Sequence, residues 1–265
     1  MNTTRLLYFA AAAAILSFSS CQKDEDVVSK DEISPMTLNK IANLGFSTQN
    51  VEHVEGGYVV EGDIFLADED LNGSFDSKAL RVGESEQYRT SNLVTGLPRV
   101  ITVSISSQLP SSYVAALDEA IARYNAEGLE LTFRRVSSKS DISLTKAPPT
   151  AGYLASAGFP SGGKPYSSVK INSSYLGANP NRSYLATIIA HEIGHCIGFR
   201  HTDYMDRSYS CNGAYSNEGA SSVGAVHIPG TPTGPDANSW MLACIGTGQN
   251  RPFNNNDKTA LKYLY

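Results

Sequence analysis

HEIGHCIGFRH, residues 191–201, holds three of the five histidines in a chain of 265 residues. The run that leads into this stretch lacks proline and predicts a helix. At about 100° per residue, His191 and His195 project within roughly 40° of each other, so both imidazoles can bind one metal ion from the same face. Gly198 is expected to end the helix, which lets the chain turn and bring His201 to the same ion.

Three nitrogen ligands with an open fourth position are the arrangement of catalytic zinc, whereas structural zinc is normally closed by four protein ligands. Glu192 lies beside the two helical histidines in angle. We expect Glu192 to take a proton from the zinc-activated water and to deliver it to the leaving amine of a cleaved peptide bond. Three histidines satisfied inside a polar core are the structural alternative, which the length of the fixed pattern disfavours.

The full pattern H-E-x-x-H-x-x-G-x-x-H resembles the metzincin clan of zinc metallopeptidases. More closely, HEIGHCIGFRH resembles the dual-action HEIGH metallopeptidases, and the resemblance runs from about Arg99 to the C-terminus and, less specifically, upstream to GGYVVEGDIFLA. It implies a monomeric metzincin-like endopeptidase with one catalytic Zn²⁺ and with protein or peptide substrates. It also implies a methionine turn beneath the metal, for which NSWMLACIG supplies Met241.

Strand and helix signals after residue 98 predict an α+β fold. RVITVSIS alternates like a strand, and PSSYVAALDEAIARYNAEG carries apolar residues at helical spacing up to Gly128. LELTFRRV and DISLTK predict further strands, and NNNDKTALKYLY predicts a terminal helix. We therefore expect a twisted mixed sheet with two long helices and an irregular C-terminal subdomain that ends in a helix. An exposed edge strand near residues 152–159 is expected to pair with the substrate backbone.

The N-terminus predicts export. Arg5 precedes an apolar run, residues 6–18, that is too short for a permanent membrane anchor and is typical of a signal peptide. The small residues before Cys21 resemble a bacterial lipobox, in which Cys21 becomes the lipidated first residue of an outer-membrane lipoprotein. Ordinary secretory cleavage is the alternative. The acidic QKDED that follows resembles a signal for display at the cell surface, although a solvated linker explains it equally well.

These signals divide the chain into four predicted parts: a lipoprotein signal peptide (1–20), a charged tether (21–34), an N-terminal segment (35–97) and a metzincin-like catalytic domain (98–265). The segment 35–97 is expected to be either an inhibitory propeptide or a permanent N-terminal domain. If it is inhibitory, Asp68 or Asp70 is a candidate to cover the metal.

The net charge argues against one class of function, and a second class has to be weighed against the enzyme. The formal net charge is −5 and no basic stripe is present, which argues against a nucleic-acid binder. A surface binding protein or adhesin on an inactive zincin scaffold is the rival to the enzyme. Because Glu192 and all three histidines are intact, the sequence favours the enzyme.

Three cysteines remain after Cys21, and an exported chain permits disulfides. Cys196 falls on the apolar back of the predicted zinc helix, where a free cysteine behaves as a small hydrophobe. We therefore favour a disulfide between Cys211 and Cys244, which lie on either side of a long loop. A Cys196–Cys211 disulfide is the competing prediction.

The loop of residues 207–239 is long and rich in glycine and proline. Loops of this length are uncommon unless functional, so we expect it to shape the primed-side substrate pocket. Tyr204, Tyr209 or Tyr215 is a candidate for oxyanion stabilisation, and His227 is a candidate for lining the substrate cleft. For each of them an ordinary loop position is the alternative.

Overall fold

The computed structural model describes residues 33–72, 87–219, 223–232 and 234–265. Ile33–Tyr265 forms one compact unit. The predicted signal peptide, Cys21 and nearly all of the predicted tether lie outside the described residues. Within the described part of the chain, no helix has the length and apolar character that crossing a membrane requires.

The described residues contain ten strands. In chain order they are β1 Glu52–Val54, β2 Gly57–Val60, β3 Ile64–Ala67, β4 Tyr88–Arg89, β5 Arg99–Ile105, β6 Leu131–Arg135, β7 Ile142–Lys146, β8 Ala155–Ala157, β9 Ser168–Ile171 and β10 Val226–His227. Eight of them form one sheet in the order β1-β2-β3-β8-β9-β7-β5-β6, and β4 pairs with β10 in a second, two-stranded sheet.

The large sheet is mixed. β5 lies parallel to β6 and β7, and β7 lies parallel to β9. β8 runs antiparallel to β9, whereas the β1-β2-β3 meander is antiparallel within itself and joins β8 through a parallel β3 contact. Strands from the predicted N-terminal segment thus extend the same sheet that the predicted catalytic domain begins.

Six helices are described: α1 Pro35–Asn43, α2 Ser112–Asn125, α3 Ser173–Leu176, α4 Arg182–Cys196, α5 Ser208–Cys211 and α6 Asn255–Leu264. The two longest, α2 and α4, pack against each other and the sheet in one apolar core that includes Ile101, Leu117 and Ile189. Burial of each such side chain stabilises the fold by about 1.5–3 kcal/mol. The predicted α+β class, with a mixed sheet and two long helices, is confirmed.

Local sequence explains where α4 begins and ends and where α6 begins. The Asn181 side chain accepts from the Tyr184 backbone N–H and caps α4. Beyond α4, Gly198 has φ 108°, a backbone conformation that favours glycine, and turns the chain away. At α6, Asn254 and Asp257 form a capping box at the start of the predicted terminal helix.

The predicted substrate-binding edge strand is wrong in its position. β8 lies within the predicted stretch of residues 152–159, but it is an interior strand of the sheet. Ile64 of β3 pairs with Ala157 on one side, and Val169 of β9 pairs with Ala157 on the other. The edge that was expected to receive substrate backbone is therefore covered by the chain's own N-terminal segment.

A disulfide joins Cys211, at the end of α5, to Cys244, 33 residues later. Cys196 is free and fully buried in the core. The chain segment after His201 is thereby tied to the segment that follows Met241.

Candidate metal centre

Three imidazole nitrogens converge in the interior of the protein. Nε2 of His195 lies 3.0 Å from Nε2 of His191 and 3.2 Å from Nε2 of His201. A tetrahedral zinc ion with Zn–N bonds of about 2.0–2.1 Å places neighbouring donors about 3.3–3.4 Å apart. The spacing of the three nitrogens fits one small divalent cation.

The opposite nitrogen of each ring fixes its orientation. Nδ1 of His191 lies 2.8 Å from the Trp240 carbonyl oxygen, and Nδ1 of His195 lies 2.8 Å from the Phe199 carbonyl oxygen. Because a carbonyl oxygen only accepts, both Nδ1 atoms donate and both Nε2 atoms are left with a lone pair for a metal. The helix end and the chain around Met241 therefore orient the two helical histidines.

His201 is oriented by a carboxylate instead. Its Nδ1 donates to Glu218 Oε1 at 2.7 Å, and both side chains are fully buried. Glu218 Oε1 also lies 3.1 Å from Nε of Arg207. Sequence reasoning did not single out Glu218, because it lies 17 residues beyond His201 in an irregular loop without a recurring spacing.

A fourth donor, from Asp63, completes the cluster. Its Oδ2 lies 3.1 Å from Nε2 of His201 and 3.3 Å from Nε2 of His191. These four residues together form a buried group able to hold a metal ion. Although burial opposes ionisation, His201 and His191 hold the pKa of Asp63 well below its usual range, so its carboxylate is charged. The sequence predicted an open fourth position, and in the structure a protein carboxylate fills it.

The Asp63 carboxylate sits at the end of a constrained turn between β2 and β3. Glu61 has φ 55° and Gly62 has φ 90°, both in the left-handed region. The Asp63 carbonyl accepts from the Ala157 backbone N–H at 2.9 Å, which fixes the turn to β8. Asp70, which was predicted as a candidate to cover the metal, instead accepts from the Ala67 backbone N–H.

A buried ion-pair network anchors the same turn. Nη2 of Arg200 lies 3.4 Å from Glu61 Oε2 and 3.5 Å from Glu218 Oε2, and all three side chains are fully buried. Arg200 stands directly before His201 in sequence. The turn that carries Asp63 is therefore linked through one guanidinium to the carboxylate that orients His201.

Glu192 lies between the two helical histidines in sequence and is almost fully buried. It lines the same cavity as Asp63 and His191, and its Oε2 accepts no hydrogen bond. Burial, and then the nearby Asp63 carboxylate, raise the pKa of Glu192 well above its usual value. A buried carboxyl group with a strongly shifted pKa and a free oxygen is suited to proton transfer.

Met241 packs against α4, the helix that carries His191 and His195. A Cβ atom at Gly194 would lie only 2.6 Å from Met241 Sδ and 3.2 Å from Trp240 Nε1. The Thr202 backbone N–H donates to the Met241 carbonyl at 2.9 Å, which ties this turn to the residue after His201. Glycine at position 194 thus allows the turn of Trp240 and Met241 to press directly against α4.

A cavity of about 270 Å³ opens beside His191 and Glu192. Its apolar walls come from α4 and from the chain around and after Met241: Ile188, Trp240, Leu242, Ala243 and Ile245. Among the described residues of the loop 207–239, only Arg207 lines this cavity.

The remaining aromatic candidates lie elsewhere. Tyr204 is buried with its ring 4.3 Å from that of Tyr88, and Tyr209 and Tyr215 are exposed. His227 is exposed in β10 with Nε2 3.3 Å from Thr231 Oγ1. None of the four predicted candidates lines the cavity beside Glu192, whereas Tyr153 does.

Comparison with protein families finds one model that matches most of the chain. A family model described as "Dual-action HEIGH metallo-peptidase" (Peptidase_M57) matches residues 58–265, which include β3, Asp63 and the three clustered histidines. None of the curated proteins compared with the chain matches it.

Two solved structures of myroilysin are similar in part. One is 17% identical, covers 66% of this chain and 96% of its own, and has a TM-score of 0.44. The other is 15% identical, covers 70% of this chain and 90% of its own, and has a TM-score of 0.42.

Proposed function

Because this chain belongs to the dual-action HEIGH metallopeptidases, we propose that it is a zinc-dependent endopeptidase that hydrolyses peptide bonds within proteins. The observation that carries the proposal is the convergence of three histidine Nε2 atoms next to Glu192, a buried carboxyl group with a free oxygen. His191, His195 and His201 would hold the zinc ion.

Each residue of the centre has a distinct task in this reaction. A zinc ion held by the three histidines would supply Lewis-acid chemistry, polarising the scissile carbonyl and lowering the pKa of the attacking water. Glu192 takes a proton from that water as its oxygen adds to the carbonyl carbon, and gives a proton to the amine nitrogen as the carbon–nitrogen bond breaks. The carbonyl groups of Trp240 and Phe199 accept from Nδ1 of His191 and His195, which fixes the orientation of both rings and leaves each Nε2 for the metal.

The same geometry supports a latent full-length chain. Asp63 takes the fourth position beside the histidines, where the attacking water and the substrate carbonyl must come together. β3 also occupies the side of β8 with which an extended substrate would pair. Two contacts from one segment therefore compete with substrate at the same site, and we expect them to slow cleavage by the full-length chain.

An inactive scaffold used for binding is the rival function. A protein that only binds its partner does not need a proton-transfer group, so it would not need to keep Glu192. The presence of Glu192 in the buried cavity, with its free Oε2, supports the enzyme over the surface binding protein or adhesin.

Export and anchoring are proposed from the N-terminal sequence. The charged Arg5, the apolar run and the small residues before Cys21 support a lipoprotein signal peptide and a lipid anchor in the outer membrane. The Cys211–Cys244 disulfide supports an oxidising compartment, because structural disulfides persist in exported proteins. Display at the cell surface rests on the acidic stretch after Cys21.

Zinc content and hydrolysis of denatured casein test the function together. We expect one zinc ion per full-length chain by elemental analysis, slow casein cleavage by the wild-type chain and faster cleavage by Asp63→Ala. Glu69→Ala is the matched control, because Glu69 is an exposed acidic residue of the same segment. Stoichiometric zinc without casein cleavage by Asp63→Ala would support the binding protein instead.

A further inference from the structure

We propose that Arg251 makes this peptidase select an acidic side chain at the residue that follows the cleaved bond. The inference rests on the proposed function and concerns the cavity of about 270 Å³ beside Glu192. Arg251 lines this cavity opposite mainly apolar side chains.

Arg251 is held at a fixed place relative to the metal centre. Its backbone N–H donates to Thr187 Oγ1 at 3.0 Å, and Thr187 lies on α4 one turn before His191. Its Nη1 donates to the Cys244 carbonyl at 2.8 Å. Since Cys244 is tied to Cys211 by the disulfide, both ends of the arginine are attached to rigid parts of the site.

The charge of Arg251 is not neutralised by a neighbouring carboxylate. Its Nη2 contacts Gln249 Oε1 at 3.3 Å, and within the described ranges no ion pair involves this guanidinium. Asp203 attracts this guanidinium electrostatically but forms no ion pair with it among the described residues, and the Asp203 oxygens accept from the Ser210 hydroxyl and the Ala243 backbone N–H. A half-buried guanidinium remains charged at any ordinary pH, so an entering anion meets a cation that forms no ion pair with a described carboxylate.

The other arginine of the cavity differs in this respect. Arg207 lines the cavity as well, but its Nε lies 3.1 Å from the buried Glu218 carboxylate. Its charge is therefore compensated within the protein. Of these two arginines, Arg251 is therefore the one that can pair with a negative charge on the substrate.

The position of Glu192 identifies which substrate residue enters the cavity. Glu192 gives its proton to the leaving amine, and that nitrogen belongs to the residue after the cleaved bond. The side chain of this residue therefore begins next to Glu192, at the mouth of the cavity that Glu192 lines. A volume of about 270 Å³ accommodates the five non-hydrogen atoms of a glutamate side chain, since one water molecule takes about 30 Å³.

Apolar surroundings strengthen the discrimination. Ile188, Leu242 and Ile245 give the cavity apolar walls, and a charge pair is stronger where the local dielectric constant is low. A hydrogen bond to a charged group contributes enough to change a rate or a binding constant by about tenfold to hundredfold. We expect this factor to separate glutamate from glutamine, which have nearly the same shape.

The test uses two fluorogenic peptides that differ only in Glu or Gln after the cleaved bond. The protein is the zinc-loaded full-length Asp63→Ala chain, and the readout is the ratio of kcat/KM for the Glu peptide to that for the Gln peptide. We expect a ratio of about tenfold or more, falling to about one in Arg251→Met. Arg251→Lys should keep part of the preference, and Arg251→Glu should shift it toward a peptide with Lys at that position.

Arg134→Met is the matched control, because Arg134 is an exposed residue of the edge strand β6. It should leave the Glu/Gln ratio unchanged. Three results would overturn the proposal. They are a ratio near one in the Asp63→Ala protein that keeps Arg251, an acidic preference only at another peptide position, and an undiminished ratio in Arg251→Met.

Binding measurements separate this proposal from the proposed function. For each substrate, the part after the cleaved bond is made as a shorter peptide that begins with Glu or Gln. Each peptide is titrated into zinc-loaded Asp63→Ala/Glu192→Gln, and binding is followed by fluorescence anisotropy. If the Glu peptide binds more tightly and this preference is lost in Arg251→Met, the proposed pocket for an acidic side chain is supported, even if casein and both substrates remain uncut. The absence of cleavage would then count against the peptidase activity alone. Equal binding of the two peptides would overturn the proposed selection of an acidic side chain, whereas any observed hydrolysis would still support the peptidase.

Discussion

Glu218 accepts a hydrogen bond from His201 across 2.7 Å, and neither side chain is accessible to solvent. The contact joins the loop after α4 to the metal centre. Carboxylates that accept from the distal nitrogen of a metal-binding histidine hold the ring in place and raise its basicity. We therefore propose that Glu218 positions His201, the third of the proposed zinc ligands.

Glu218→Gln should weaken zinc binding about 10–100-fold, because the amide cannot match the carboxylate as an acceptor. A competition titration with a chromophoric chelator measures the affinity, and circular dichroism checks that the fold is retained. Glu130→Gln, at an exposed glutamate, is the control. Unchanged zinc affinity in Glu218→Gln would show that His201 does not depend on this contact.

Gly194→Ala should destabilise the protein by about 1–3 kcal/mol, the usual penalty of overpacking a core. The added Cβ would lie 2.6 Å from Met241 Sδ, so α4 or the Met241 turn has to shift. Chemical denaturation measures the loss of stability. Gly213→Ala, at a glycine whose Cβ position is open, should change it little. Equal stability of both variants would contradict tight packing of the turn under α4.

The Cys211–Cys244 disulfide should contribute about 3–4 kcal/mol to the free energy of unfolding, since it closes a loop of 33 residues. Reducing agent should lower the stability of the wild-type chain by about this amount. The same treatment should not affect Cys211→Ser/Cys244→Ser, which serves as the internal control. Peptide mapping without reduction should yield the Cys211–Cys244 pair, and a peptide linked through Cys196 would argue against it.

Cys21→Ser should move the protein from the membrane fraction to the soluble exported fraction, or stop its maturation. Lipid attached to a mature N-terminal cysteine is the physical basis of the proposed anchor. Fractionation and mass spectrometry of the mature N-terminus measure both effects. If the variant fractionates like the wild type, and the wild-type terminus carries no lipid, the proposed anchor is wrong.

Local spacing made the histidine cluster predictable. His191 and His195 lie one helical turn apart, and the turn at Gly198 follows from the backbone freedom of glycine. The alternation and helical spacing that indicated β5 and α2 are likewise properties of short stretches. Such features are visible in one sequence because neighbouring residues alone produce them.

Long-range contacts were not predictable in the same way. Asp63 meets His201 across 138 positions, and no spacing rule connects a turn residue to a distant helix end. The sequence instead drew attention to Asp68 and Asp70, which share the acidic character of Asp63 but not its place in the β2–β3 turn. The interior position of β8 was missed for the same reason, because β3 pairs with it from far upstream.

The most direct test of the central claim is hydrolysis by full-length Asp63→Ala with and without Glu192→Gln. Both proteins should bind one zinc ion, because Glu192 is not among the four grouped metal-binding side chains. Loss of the proton-transfer group should lower kcat by about 10²–10⁴-fold on the same peptide. Zinc binding with near-normal hydrolysis in the Glu192→Gln protein would contradict the assignment of Glu192 and the mechanism built on it.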